Sequence, residues 1–426
     1  MNEGAQSGDL LVTGISQLVD PGDGATSDPL DVLESAWIWI TDGRIEARGD
    51  GSPPDEALEA PRLDAAGAIA LPGLIDPHTH AVFGATREHE FERRLAGATY
   101  QEIASGGGGI LYSVEDLRER SRDALVALAK SRLRTFVEWG VTTVEVKSGY
   151  GLTVEDELKT LRAIRDLSNL PHLPRIVPTF LGAHAIPSEY EDDREGYARL
   201  VIDEMLPAVA EEGLAEFCDV FCEEGAFTLA ESERILSAGI DLGLTPKIHA
   251  EEFTPTGGAA LAARLGAASA DHLVAIDDEG IEALAASDTV AVLLPGTSFF
   301  LRLGRHAPGR ALADAGATLA LATDFNPGSS MTQNQLLMIA FACCTQGLTI
   351  PEAIRAATRG AAKALRRDDR GWLAPGALGD VALFDVPDWR HLAYHYGIHP
   401  TRVTIRGGRV IYSRERQRLE TPRPVG

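Results

Sequence analysis

Thr142-Thr143-Val144-Glu145-Val146-Lys147 is a short β-branched run, and the chain before it, from Ser113 to Gly140, carries a helical pattern. Ser113-x-x-Asp116 is a variant of the capping box, and Gly140 stands where a helix would stop. The unit recurs. Apolar, β-rich runs occur at 69–76, 175–181, 216–222, 245–249, 268–271, 289–294 and 318–323, with helical patterns between most of them. Thr153-x-x-Asp156 opens the helix after the quoted strand in the same way. Strands alternating with helices in this number predict a parallel (β/α)8 barrel of the TIM type rather than an open sheet. Such a barrel carries its chemistry at the C-terminal ends of its strands.

The two ends of the chain read differently. Leu10-Leu11-Val12, Ala36-Trp37-Ile38-Trp39-Ile40 and Arg44-Ile45-Glu46-Ala47 lean to strand and are punctuated by Pro21-Gly22-Asp23-Gly24 and Asp42-Gly43. Val381-Ala382-Leu383-Phe384, Val403-Thr404-Ile405 and Val410-Ile411-Tyr412 do the same after the barrel. Residues 1–70 and 371–426 are therefore expected to form one small composite β-sandwich domain, and 71–370 the barrel.

Composition narrows the function classes. At 44% apolar residues the chain can bury a large core, and no run of about 18 apolar residues suggests a membrane span. Met1-Asn2-Glu3-Gly4 opens no basic-then-apolar signal sequence, and four cysteines make no disulfide scaffold, so a cytoplasmic location is expected. The formal net charge of −24 argues against a nucleic-acid partner, which needs a basic surface. Only five of the 39 basic residues are lysine. An anionic substrate would need a local basic group to offset the field.

The strand ends carry the polar residues. The first ends Leu74-Ile75-Asp76-Pro77-His78-Thr79-His80, and residues two apart on an extended chain point the same way. The fifth ends Lys247-Ile248-His249, the sixth Ala270-Asp271-His272 and the eighth Ala322-Thr323-Asp324. Barrel closure would set Asp324 beside His78 and His80. Imidazoles and a carboxylate without thiolate suit one Zn²⁺ or Fe²⁺ ion with an open position.

This arrangement resembles the amidohydrolase superfamily, and the β-rich ends resemble the small domain those enzymes carry. Asp76-Pro-His-Thr-His-Ala-Val-Phe-Gly84, Glu145-Val-Lys-Ser-Gly-Tyr-Gly151, Phe180-Leu-Gly-Ala-His184, Asp219-Val-Phe-Cys-Glu223 and Ala322-Thr-Asp-Phe-Asn-Pro-Gly-Ser-Ser330 are similar to imidazolonepropionases. The resemblance implies hydrolysis of 4-imidazolone-5-propanoate to N-formimidoyl-L-glutamate in histidine degradation. It implies His78, His80, His249 and Asp324 as metal ligands. Arg87, Tyr150, His184, Glu252 and Ser329 are implied as substrate contacts, with Asn326 and Gly328 lining the site and His272 catalytic. Relatives are commonly dimers, so a homodimer is an open reading.

The residue types agree with a small carboxylate substrate. Arg87 follows the first strand, though it is one of 34 arginines. Tyr150 and His184 are able to donate to a propionate. Glu252 can move a proton at the mouth, with Asp324 and His272 as the other catalytic groups. Its neighbour Glu251 leaves one of the two free to face solvent. Asn326-Pro327-Gly328-Ser329-Ser330 is turn-rich and could offer backbone N–H groups to an anion. Gly106-Gly107-Gly108-Gly109 lacks the lysine of a phosphate loop and reads as a mobile loop at the mouth. Cys218, Cys222, Cys343 and Cys344 read as buried fillers. Lys147 invites comparison with the modified lysine of two-metal relatives. That group belongs on the fourth strand, where Glu223 stands, so a single metal is expected. A cytosine or guanine deaminase is the nearest rival, sharing even His249-Ala-Glu-Glu252, and a metal-free scaffold the other.

Overall fold

The computed structural model describes residues 8–98, 102–103 and 108–415. Five strands open the chain: β1 (Leu10–Asp20), β2 (Asp31–Thr41), β3 (Arg44–Asp50), β4 (Arg62–Asp64) and β5 (Ile69–Pro72). Eight follow in the middle: β6 (Leu74–Asp76), β7 (Val141–Lys147), β8 (Arg175–Ala183), β9 (Phe217–Cys222), β10 (Thr245–Ala250), β11 (Ser269–His272), β12 (Val290–Leu293) and β13 (Leu319–Leu321). Three close the chain: β14 (Val381–Phe384), β15 (Thr401–Arg406) and β16 (Arg409–Ser413).

β6 to β13 are parallel neighbours in chain order, with helices between them, as the alternation requires. The ring closes beyond its strands. Thr79 bridges Phe325, His80 N–H donates to the Phe325 carbonyl at 2.9 Å, and Asp324 N–H donates to the His78 carbonyl at 3.1 Å. The backbone therefore holds the ends of the first and eighth barrel strands together before any side chain acts.

The terminal strands form a second sheet, ordered β16-β15-β14-β5-β1-β2-β3, with β4 also on β1. Both ends of the chain contribute to it, and Leu10, Val12, Ile38, Ile40, Leu383 and Ile405 meet in its core. Asp42 and Gly43 turn β2 into β3 with φ of 51° and 76°. That pair of left-handed residues matches the twist of a two-residue hairpin.

Two expectations change. The run 69–76 is two strands, since Ile69–Pro72 pairs with β14 while Leu74–Asp76 pairs with β7. Gly73 makes the handover, its N–H donating to the Asp380 carbonyl at 2.8 Å. The long helix is also two, Ile110–Glu119 and Arg122–Glu138, and Ser121 rather than Ser113 caps the second. Ser113 is buried inside the first. The Thr153 cap is present, its side chain accepting from Asp156 N–H.

Candidate active site

His78 and His80 leave β6 on extended backbone and both turn inward, as their spacing dictates; both are buried. His249 lies in β10, His272 ends β11, and Asp324 stands three residues past the end of β13. The elements bring these groups into two triads that share His78. His249 Nε2 is 3.5 Å from His80 Nε2, and Asp324 Oδ1 is 3.5 Å from Nε2 of both His78 and His80. The ligand atoms of His78, His249 and His272 are likewise mutually within 4.8 Å. His78 Nε2 is buried without a hydrogen-bond partner. A lone pair of that kind, facing others, fits a cation between them.

The backbone is strained where it delivers these groups. Glu251, His272, Leu273 and Asp324 have φ of 56°, 81°, 63° and 53°. Left-handed conformations in such residues cost about 1–3 kcal/mol each and persist where the surroundings enforce them.

Three residues that sequence reasoning left out of the site hold its inward-facing groups in place. Asp271 Oδ2 is 2.6 Å from His78 Nδ1, and Asp219 Oδ1 is 3.1 Å from His249 Nδ1. Thr297 donates to Asp324 Oδ2 at 2.7 Å. The available signal was polarity where a barrel strand should be wholly apolar. Asp219 and Asp271 both sit on such strands, fully buried.

Around this point, Tyr150, His184, Glu252, Asn326 and Ser329 line one small cavity of about 40 Å³ with His80, His249, His272 and Asp324. It adjoins a larger one of about 470 Å³ through His184, Phe221 and Ile110. Arg87 and Gly328 line neither cavity. The Arg87 side chain is buried against Gly328, it pairs with Glu90 at 3.1 Å, and Nη1 lies 3.4 Å from Ser113 Oγ. It is no surface arginine.

Some expectations about this surround are corrected. The N–H groups of Gly328 and Ser329 both donate to Asn326 Oδ1 at 2.8 Å, so Asn326 organises the loop and uses those donors. His184 Nδ1 faces the Gly149 carbonyl at 2.8 Å, which can only accept. Neutral His184 thus presents a lone pair at Nε2 and accepts rather than donates. Neither glutamate faces solvent: Glu252 lines the cavity, while Glu251 turns inward and accepts from Gly257 N–H at 3.0 Å. Cys218 and Cys222 are buried, but Cys343 is half-buried and Cys344 exposed. Gly106 and Gly107 lie outside the described residues.

Burial dominates the electrostatics. It holds His78, His80 and His272 well below the usual histidine range and His184 at about 3, with the neighbouring imidazoles, and Lys147 for His78, adding to it. Neutral imidazoles are the form that binds metal. Burial lifts Asp324 to about 6, against hydrogen bonds led by Thr297. Glu252 rises well above the carboxylate range, through burial and then the nearby charges of Asp324 and Glu223. A protonated carboxyl in that place is a proton donor.

The Amidohydrolase family model matches residues 90–412. Imidazolonepropionase of Myxococcus xanthus is 46% identical over 97% of this chain and 98% of its own length, and that of Geobacillus kaustophilus is 49% identical over 90% and 91%. The chain belongs to the imidazolonepropionase family. As amidohydrolases, imidazolonepropionases fall in a metal-dependent superfamily, which the His/Asp cluster matches. Fold neighbours agree at the level of architecture: a triazine hydrolase variant superposes with a TM-score of 0.74 at 20% identity, covering 96% of this chain and 95% of that one. A zinc-bound adenosine deaminase from Xanthomonas campestris reaches 0.69, also at 20%, covering 94% and 92%.

Proposed function

We propose that this chain hydrolyses 4-imidazolone-5-propanoate to N-formimidoyl-L-glutamate in histidine degradation. It would use one divalent ion, zinc or iron, held by His78, His80, His249 and Asp324. The observation that supports this most is that His78, His80 and Asp324 form one triad, with His249 3.5 Å from His80, beside a cavity lined by Tyr150, His184 and Glu252, in a chain related to imidazolonepropionases over nearly its whole length.

A divalent ion there supplies Lewis acidity toward a carbonyl and toward water. The protein's own groups do the rest. Asp324 is fixed through Oδ2 by Thr297 and Ser329, leaving Oδ1 to take a proton from the attacking water. As the water oxygen bonds to the ring carbonyl carbon, His272 stabilises the charge developing on the carbonyl oxygen. Glu252, whose Oε2 is 3.8 Å from His272 Nε2, gives its proton to the ring nitrogen as the C–N bond breaks. His184 accepts a ring N–H, and Arg87 and Tyr150 hold the propionate. Within the described residues no helix is long and apolar enough to cross a membrane. A cytoplasmic homodimer is the form in which we expect the enzyme to work.

Loss of imidazolone propionate absorbance should accompany about one bound divalent ion per chain in metal analysis of the same sample. Brisk deamination of cytosine or guanine without turnover of the imidazolone would refute the reading.

A further inference from the structure

Beneath the imidazole cluster the barrel is not filled in the usual way. Layers of branched apolar side chains fill most barrels of this type. Here Glu145, Lys147, Asp219, Lys247 and Asp271 meet in the interior, and none of their side chains has any exposed surface. Lys147 Nζ lies 2.8 Å from Glu145, 2.7 Å from Asp219 and 3.9 Å from Asp271. Lys247 Nζ lies 2.9 Å from Glu145 and 3.9 Å from Asp271, and donates to the Pro77 carbonyl at 2.8 Å, next to His78. Two of the chain's five lysines lie here, in a protein with 34 arginines. A compact ammonium with three rotatable donors fits inside a ring of carboxylates, whereas a guanidinium presents its donors in a fixed planar fork.

The lattice reaches the cluster through hydrogen bonds. Asp271 faces Nδ1 of His78 and Asp219 faces Nδ1 of His249. With a carboxylate oxygen against each Nδ1, the geometry is satisfied when both Nδ1 atoms carry the hydrogen, and both Nε2 atoms then present lone pairs to the same point.

We infer that Asp219, Asp271 and Lys147 are positioning residues of the metal centre. Lys147 fixes the two carboxylates, and the carboxylates fix the tautomer and tilt of His249 and His78. The inference rests on the metal reading of the site given above. It is separable from a plain charge effect, because the two predict opposite signs. Removing a buried positive charge should tighten cation binding if only the field matters. Removing a positioning group should weaken it.

The test is chelator competition for Co²⁺ on the full-length metal-free protein, with the visible Co²⁺ spectrum and the melting temperature of each metal-free variant. Asp271→Leu should bind about ten- to a hundredfold more weakly, the usual cost of losing a partner that orients a metal-ligating histidine. Asp271→Asn keeps an acceptor for His78 and should stay within a few fold of wild type. Lys147→Met should bind at least tenfold more weakly, with an altered Co²⁺ spectrum. Tighter or unchanged binding in Lys147→Met overturns the inference, as does an Asp271→Asn that loses as much as Asp271→Leu. If Lys147→Met does not fold, the Asp271 pair decides alone. A wild type that binds no Co²⁺ fails the metal reading itself and takes this inference with it, whereas a wild type that binds beside indifferent variants fails only the inference.

Discussion

The terminal sheet and the barrel interior treat polar residues in opposite ways. In the sheet, side chains alternate, and apolar residues such as Val12, Ile38 and Ile40 turn to a core while Glu34, Arg44 and Glu46 face water. Sequence pattern there reports burial. In β7 all seven residues are buried, Glu145 and Lys147 as fully as Val144 and Val146. Burial there says nothing about residue type, and polarity marks a job. The comparison teaches that a charged residue on a strand covered on both faces is a better pointer to function than one on a half-exposed strand, because its desolvation has to be compensated.

Four substitutions would break or sharpen that contrast. The largest effect is expected at the mouth. His249→Ala should lose the ion or reduce kcat by about a thousandfold or more, since metal assistance is worth several kcal/mol, while its melting temperature in metal-free form changes little. A variant that keeps both ion and rate would show that the converging strand ends are not the active centre. Next comes Ile38→Ala in the sheet core, where truncating a fully buried branched side chain should cost about 2–5 kcal/mol of stability. Denaturant titration should register that loss with kcat and metal content unchanged; a lower kcat in folded protein would mean that the two regions are coupled.

A smaller effect separates binding from scaffold at Arg87. Arg87→Ala should keep its metal while kcat/KM falls about tenfold to a few hundredfold, the value of charge-assisted bonds to a carboxylate at roughly 1.5–3 kcal/mol. Lysine should restore only part of it. The readout that matters is an imidazolone with an uncharged side chain: if Arg87→Ala lowers its turnover equally, the arginine serves Glu90 and the loop rather than the propionate. The smallest effect belongs to the hairpin. Gly43→Ala places a side chain at φ of 76° and should cost about 1–2 kcal/mol, seen as a lower melting temperature with no change in kinetics.

Much of this protein was legible in one dimension. Alternation of strand and helix is set by local periodicity and capping, so the barrel and the composite sheet follow from it, and so does the inward pairing of His78 with His80. Where one strand hands over to another, local pattern fails: Ile69–Pro72 and Leu74–Asp76 are equally apolar, and only their partners, β14 and β7, tell them apart. The same holds for Ser113, whose cap-like spacing is overridden because the helix begins at Ile110.

The site divides along the same line. Its residue types at strand ends were fixed by the sequence, because the barrel topology assigns those ends to one face. What each side chain does there was decided by neighbours distant in the chain. His184 became an acceptor because the Gly149 carbonyl occupies its Nδ1, and Glu252 rather than Glu251 reached the cavity because a left-handed turn at Glu251 sends the latter inward. His78 and His249 take their tautomers from Asp271 and Asp219, which in turn are held by Lys147. Hydrogen bonds of that kind act over about 3 Å between residues separated by up to 193 positions, and a periodicity carries no record of them.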